Sequence, residues 1–225
     1  MAELSGDDAR HLTRVLRAEP GQRYEITDGQ VAHLAEIVEA RGQRVVFRMI
    51  EPIASAAPPV RIALCAALVK FDRFEWTIEK ATELGVETIL PVEATRSEKG
   101  LLEASRKRAA RWERIARESS QQARRVAAPR ILEAAPFEGA LAQAAGHRYF
   151  LEETAAPPLL QVLPAKKAAG ASVALLVGPE GGWTEAERAQ AAAAGWQAAS
   201  LGPLVLRAET AAIAALAVVG NAWMR

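Results

Sequence analysis

The spacing of apolar positions changes character about a quarter of the way along the chain. Leu12, Val15 and Leu16 recur at three- and four-residue steps and predict a short helix over Asp7–Arg17 with that stripe buried. Three segments of strand composition follow, Gln22–Thr27, Val31–Val38 and Arg44–Ile50, parted by turn dipeptides at Asp28-Gly29 and Arg41-Gly42. Together these form a mostly β module, which can bury little core and leans on a partner. Glu51–Pro59 holds three prolines within eight residues and predicts a linker.

Beyond the linker, apolar runs alternate with helical periodicity. Arg61–Val69 reads as a buried strand, and Phe71, Phe74, Ile78, Ala81 and Leu84 recur as one face of a helix. Strands are predicted at Glu87–Val92, His147–Leu151, Val173–Val177 and Trp196–Leu201. Helices are predicted at Leu101–Arg125, Thr184–Ala194 and Ala208–Trp223. Such alternation builds a parallel sheet flanked by helices, with ligands held beyond the carboxyl ends of its strands.

Composition narrows the classes. Half of the 225 residues are hydrophobic and 24% are charged, as in an ordinary globular protein. No apolar run is long enough to predict a membrane span, and residues Met1–Arg10 are too polar for a secretion signal, so a cytoplasmic protein is expected. Cys65, the only cysteine, lies in an apolar run and reads as a buried hydrophobe. His11, His33 and His147 are scattered, and no metal site is expected. The net charge of +1 hides a concentration: eight basic residues against two acidic ones between Arg106 and Arg125, which suits an anionic polymer or a solvated helix face equally.

Two loops carry candidate chemistry. In Ala174–Thr184 a buried strand runs into Gly178-Pro179-Glu180-Gly181-Gly182, where glycines let a ligand approach the backbone. Thr184 and Glu187 have the spacing of a capping box for the next helix. In Ser200–Thr210 a strand again ends at Gly-Pro, Gly202-Pro203, and Leu201, Leu204 and Leu206 follow as apolar contacts. Placed on adjacent strands, the two loops would face each other across one crevice. A tight structural turn explains either loop alone equally well.

The pair GPEGG (Gly178–Gly182) and LGPLVLRAET (Leu201–Thr210) resembles the RsmE family of uridine-N3 methyltransferases of small-subunit ribosomal RNA, within the SPOUT class. His11–Arg17, Asp28-Gly29, Glu79–Val86, Gln122 and Arg125 extend the resemblance over nearly the whole chain. It implies a PUA-like β-barrel RNA-binding domain over residues 1–56. A SPOUT-like α/β methyltransferase domain with a C-terminal trefoil knot then follows over residues 57–225. It further implies S-adenosylmethionine as cofactor, held by Leu151, Val177, Gly178, Gly182, Leu201, Gly202, Leu204 and Leu206. The implied partners are small-subunit ribosomal RNA, free or assembled, and a second copy of the chain. The stripe Ala212, Ala215, Leu216 and Val219 would then lie in a twofold interface. Two departures stand out: the first strand of the RNA-binding domain is missing or replaced, and Gln121 stands where an acid is frequent.

Uridine N3 must lose its proton before it can take a methyl group. Arg207 and Arg125 are the candidates for stabilising the resulting charge, and Glu209 for a base. Arg14, Arg17, Arg106, Arg108 and Gln122 are the candidates for contacting RNA. Methylation of a ribose 2′-hydroxyl and a noncatalytic RNA-binding assembly role remain rival expectations.

Overall fold

The computed structural model describes residues 1–54, 60–153 and 156–223. They form two compact units, one ending at Ala57 and one beginning at Pro58. The expected domain boundary and the proline-rich end of the linker fall among residues 55–59, outside the described residues.

The first unit contains β1 (Ala2–Ser5), α1 (Gly6–Arg10), a π-turn over His11–Val15, β2 (Arg23–Thr27), β3 (Ala32–Arg41) and β4 (Arg44–Ile53). The strands make one antiparallel sheet in the order β1-β4-β3-β2. The strand expected to be missing is therefore present: Ala2–Ser5 pairs with Arg44–Phe47. Alternation in Ala2–Ser5 is too short to register as a pattern. Strand β4 also runs through Glu51, Pro52 and Ile53, which the prolines had suggested were linker. Ala9, Ala18, Ala35, Ile37, Val45 and Phe47 form the core. Val15 and Leu16 are exposed, so the expected stripe is buried only as far as Leu12. The Asp28-Gly29 turn forms as predicted: Asp28 Oδ1 accepts from the amides of Gln30 and Val31, and Gly29 takes φ 90°.

The second unit is a parallel sheet with helices on both faces. Its elements are β5 (Arg61–Ala67), α2 (Phe71–Glu83), β6 (Thr88–Glu93), α3 (Leu101–Ser105), α4 (Ala109–Gln122), β7 (Arg130–Ile131) and β8 (Ala135–Pro136). Then come α5 (Phe137–Leu141), β9 (His147–Leu151), α6 (Leu159–Val162), β10 (Ser172–Val177), α7 (Glu185–Ala193), β11 (Gln197–Ala199) and α8 (Ala208–Trp223). The strand order is β11-β9-β10-β5-β6-β7, with β8 also on β6. Strand β9 thus separates β10 from β11, and the two Gly-Pro loops do not lie on neighbouring strands.

The apolar runs of β5 and β10 are continuous because both faces are covered. Ile62, Leu64, Ala66, Val173, Leu175 and Val177 join one core with Phe74 and Ile78 of α2, Trp112 of α4 and Leu216 of α8. Cys65, Ala67, Ala174 and Leu176 point the other way, into a core with Phe137, Trp183 and Ala191. Burial pushes the Cys65 thiol up to about 12, which fits an inert core residue. The expected long basic helix is broken into α3, a 3₁₀ turn over Arg106–Arg108, and α4. On α8 the stripe Ala212, Ala215, Leu216 and Val219 is fully buried within the chain itself, so it is not available to a second subunit.

Arg125 follows α4 at the amino-terminal edge of the sheet. Its guanidinium donates to the carbonyls of Thr82 (2.7 Å) and Val86 (2.8 Å), which flank the turn between α2 and β6. Gly85, at φ 86°, closes that turn. Strand-end loops lie at the opposite, carboxyl edge, so the chain does not bring Arg125 to its own cleft; within the chain its guanidinium holds the turn between α2 and β6. Arg125→Ala is expected to lower the free energy of unfolding by roughly 1–3 kcal/mol, since two carbonyls lose a charged donor. Urea denaturation checks this, and an unchanged midpoint would mean the contacts contribute nothing.

Candidate active site

Three loops converge at the carboxyl edge of the sheet. They are the residues after β9, the Gly178–Gly182 turn after β10, and the Leu201–Arg207 stretch between β11 and α8. One cleft is lined by Leu151, Val177, Gly178, Gly182, Leu201, Gly202, Leu204 and Leu206, together with Ala208 and Ala211. All eight residues expected to hold the cofactor therefore share one space. Glu152, Glu153 and Glu180 add carboxylates to its wall.

Trp183 fixes the floor. Its indole is 1% exposed, stacks on Phe150 at 4.8 Å between centroids, and donates from Nε1 to the Leu151 carbonyl at 2.9 Å. A Cβ at Gly178 would come within 2.9 Å of this indole. The missing side chain of Gly178 thus makes room for Trp183 rather than for a ligand. Gly202, at φ 123°, faces open space.

A second set of contacts ties the loop after β6 to the same region. Thr184 caps α7, and Glu187 returns the bond to the Thr184 amide, so the predicted capping box is formed. The other Glu187 oxygen accepts from the Thr95 amide at 2.8 Å. Arg96 then donates to the Gly181 carbonyl at 2.7 Å. Burial alone would raise the Glu187 carboxyl, but amide donors from Thr184 and Thr95 outweigh it and hold the group below its ordinary value.

The remaining expected residues scatter. Arg207 is exposed and lines a depression with Arg73, Glu180, Val205 and Leu206. Glu209 is buried, and its Oε2 has no hydrogen-bond partner among the described residues. Ala208 and Ala211 of the same turns line the cleft, whereas Glu209 does not. Arg14 and Arg17 are exposed on the first unit, and Gln122 is exposed at the end of α4. Arg106 is exposed, with Glu133 at 3.7 Å. Arg108 sits 5.0 Å over the Phe71 ring and pairs with Glu75, which Arg111 also contacts at 2.8 Å. Part of the basic concentration is therefore neutralised by a carboxylate from α2, a partner that a count along the sequence omits.

Arg73, Arg96, Glu152, Glu153 and Trp183 were not singled out from the sequence. Arg73 and Arg96 belong to distant segments, and only the fold brings them to the Gly178–Gly182 turn. Trp183 had a signal, an aromatic directly after paired glycines, but its partner Leu151 lies on another strand. Among the described residues no helix is long and apolar enough to cross a membrane. Nor do three His, Cys, Asp or Glu side chains gather there as a metal-binding group.

The family model described as an RNA methyltransferase domain matches residues 56–220, and that of an RNA methyltransferase PUA domain matches residues 4–50. The chain is similar to the ribosomal RNA small subunit methyltransferase E of Mycobacterium tuberculosis (strain CDC 1551 / Oshkosh). They share 34% identity, over 98% of this chain and 86% of that one. Its fold is similar to the ribosomal RNA small subunit methyltransferase E of Neisseria gonorrhoeae bound to S-adenosyl methionine. The TM-score is 0.88 and identity 32%, over 99% of this chain and 92% of that one. It is also similar to a methyltransferase from Legionella pneumophila in complex with the cofactor, with TM-score 0.87 and identity 29%, over 98% and 91% of the two chains.

The Glu187 clasp has a pH signature. A carboxyl held low by folding contributes stability above its unfolded value, near the ordinary 4.5, and that contribution is lost as pH falls through the folded value. Glu187→Gln is expected to be less stable than the parent at neutral pH, with the gap narrowing below about pH 4. Parallel urea titrations at several pH values measure the gap; a constant difference down to the acid limit would count against the charged clasp.

Proposed function

The chain belongs to the RNA methyltransferase family, and on that premise we propose that it methylates N3 of a uridine in small-subunit (16S) ribosomal RNA, using S-adenosylmethionine. The observation that carries this reading is the convergence of three strand-end loops on one cleft, with apolar walls and three carboxylates. The cleft fits the cofactor by its chemistry. Leu201, Leu204 and Leu206 offer apolar contacts for an adenine, and Glu153 offers negative charge to a donor whose sulfonium and ammonium are positive. The open face at Gly202 leaves room for the ligand.

When bound, the cofactor supplies an electrophilic methyl group. The chain's own residues must place the acceptor in line with it and compensate the charge left when N3 gives up its proton. Arg207, exposed at the start of α8 and beside the cleft wall at Leu206, is assigned to that charge. Exposed Arg14, Arg17, Arg106 and Gln122 are assigned to the RNA backbone, where basic contacts give salt-dependent affinity. This reading includes a trefoil knot at the C-terminus, consistent with β9 lying between β10 and β11. A cytoplasmic location follows from the substrate.

The reading also includes a homodimer. The core-facing stripe of α8 is used up within the chain, but a second face remains. Leu160, 64% exposed, lines an apolar groove with Leu163, Ala217, Val218 and Ala222. Covering such a face by a second copy is consistent with a twofold interface.

Labelled cofactor with small subunits lacking the modification tests the activity. N3-methyluridine is expected after nuclease digestion and mass spectrometry. Methyl on a ribose oxygen would overturn the base assignment, and absence of both cofactor binding and transfer would leave a noncatalytic RNA-binding protein. For the assembly, light scattering at micromolar concentration is expected to give twice the chain mass, and Val218→Glu a single chain. A wild type that stays monomeric would refute the dimer.

A further inference from the structure

The depression beside the cofactor cleft has a composition that the cleft does not explain. Arg73, Glu180, Val205, Leu206 and Arg207 line it, and Glu180 and Leu206 line the cleft as well. The two spaces therefore share a wall. An acceptor atom must lie within a few ångströms of the donated methyl, so the adjoining space is where the reacting base belongs.

Its electrostatics favour an anion. Two guanidiniums stand against one carboxylate, leaving one positive charge among the lining side chains. Arg73 occupies the first turn of α2, and Arg207 directly precedes α8. Both helices start at the carboxyl edge of the sheet, so the positive ends of two long helices add to the same field. Val205, 73% exposed, and Leu206 supply apolar contact for a ring face.

Resting on the uracil-N3 reading, we propose that Arg73 and Arg207 together receive the deprotonated uracil, and that Glu180 holds Arg73 until the base arrives. The N3 proton leaves to water, and the freed N3 electron pair forms the bond to the methyl carbon. As the carbon–sulfur bond breaks, its electron pair stays on sulfur and neutralises the sulfonium. Negative charge on the base spreads over O2 and O4, which flank N3. One guanidinium on each oxygen stabilises the anion and leaves N3 open between them.

Glu180 already contacts the Arg73 guanidinium. Their side chains are 30% and 53% exposed, and a pair this open to solvent is weak and exchangeable. In this role Arg73 contacts the reacting base directly, and Glu180 is a positioning residue. Arg207 makes no side-chain hydrogen bond or ion pair among the described residues, so it is ready to engage a ligand.

The test uses the full chain and undermodified small subunits, with the methylated atom first mapped in the wild-type product. Arg73→Ala and Arg73→Lys are compared with Glu180→Gln, measuring cofactor affinity by calorimetry and kcat and KM from pH 6 to 10. Arg73→Ala is expected to lower kcat at least about tenfold at pH 7. Its cofactor affinity should be unchanged, and the rise of rate with pH should shift to higher pH because the anion is harder to form. Arg73→Lys, which keeps the charge and loses the fork, should fall between the two and guards against a misfolded alanine variant. Glu180→Gln should lower the KM for the small subunit, because Arg73 no longer has to be released. If Arg73→Lys and Glu180→Gln instead lose cofactor affinity together, with the pH midpoint unmoved, the pair is a structural latch and the proposal fails. A wild-type product methylated elsewhere than N3 would sink the underlying reading separately, whatever the variants do.

Discussion

The active end of the second unit depends on one buried indole. Trp183 reaches back across the sheet to donate to Leu151 while its ring lies against Phe150 and Phe137. That single side chain joins the end of β9 to the turn after β10. Two of the three cleft loops therefore cannot move independently. An apolar core holds the indole, and the indole holds the loops, so the stability of the fold is transmitted to the geometry of the site. Glu187 extends the linkage to the loop after β6, because one carboxylate serves both the cap of α7 and the Thr95 amide. Buried, multiply bonded carboxylates of this kind fix geometry more surely than exposed ion pairs.

How much of this was legible depends on the range of each interaction. Segments whose signal is local were read closely. His147–Leu151 and Ala208–Trp223 have the predicted bounds, and the Thr184 capping box is in place. Gly178 and Gly202 were rightly placed on strand-end loops, and the structure gathers all eight expected cofactor contacts into one cleft. Longer-range features failed in characteristic ways. Periodicity cannot say that β9 lies between β10 and β11. Nor can it say that a Glu75 carboxylate sits under Arg108 and Arg111. The stripe on α8 was a real apolar face, but a nearly all-apolar helix has more than one candidate face, and the chain's own sheet took the one chosen. Ala2–Ser5 was missed because four residues give too little alternation to count as a strand.

Arg125 shows why motif and role must be separated. Its match to the family pattern raises the expectation of a role near the reaction, and its chemistry suits charge stabilisation. The fold instead directs its guanidinium to two carbonyls at the amino-terminal edge of the sheet. A half-buried arginine with bound carbonyls has already exchanged its hydration for those partners, and burial accordingly lowers its basicity. Pulling it away toward a substrate would expose both carbonyls again. Arg207, solvated at the cleft, needs no such disruption, which is the physical ground for preferring it.

The two glycines that first marked the site do different things. At Gly178 a methyl would collide with the Trp183 ring, so a side chain there acts on the floor of the cleft and through it on Leu151. At Gly202 a methyl would meet nothing, but φ 123° lies where side chains are strained. One glycine therefore protects packing and the other protects a backbone path. Loss of cofactor binding on substituting Gly178 would not by itself place a ligand against that residue, because an unseated indole has the same effect at a distance. Gly202, with open space beside it, is the position where a small side chain reports on the ligand more directly, provided the altered loop keeps its path.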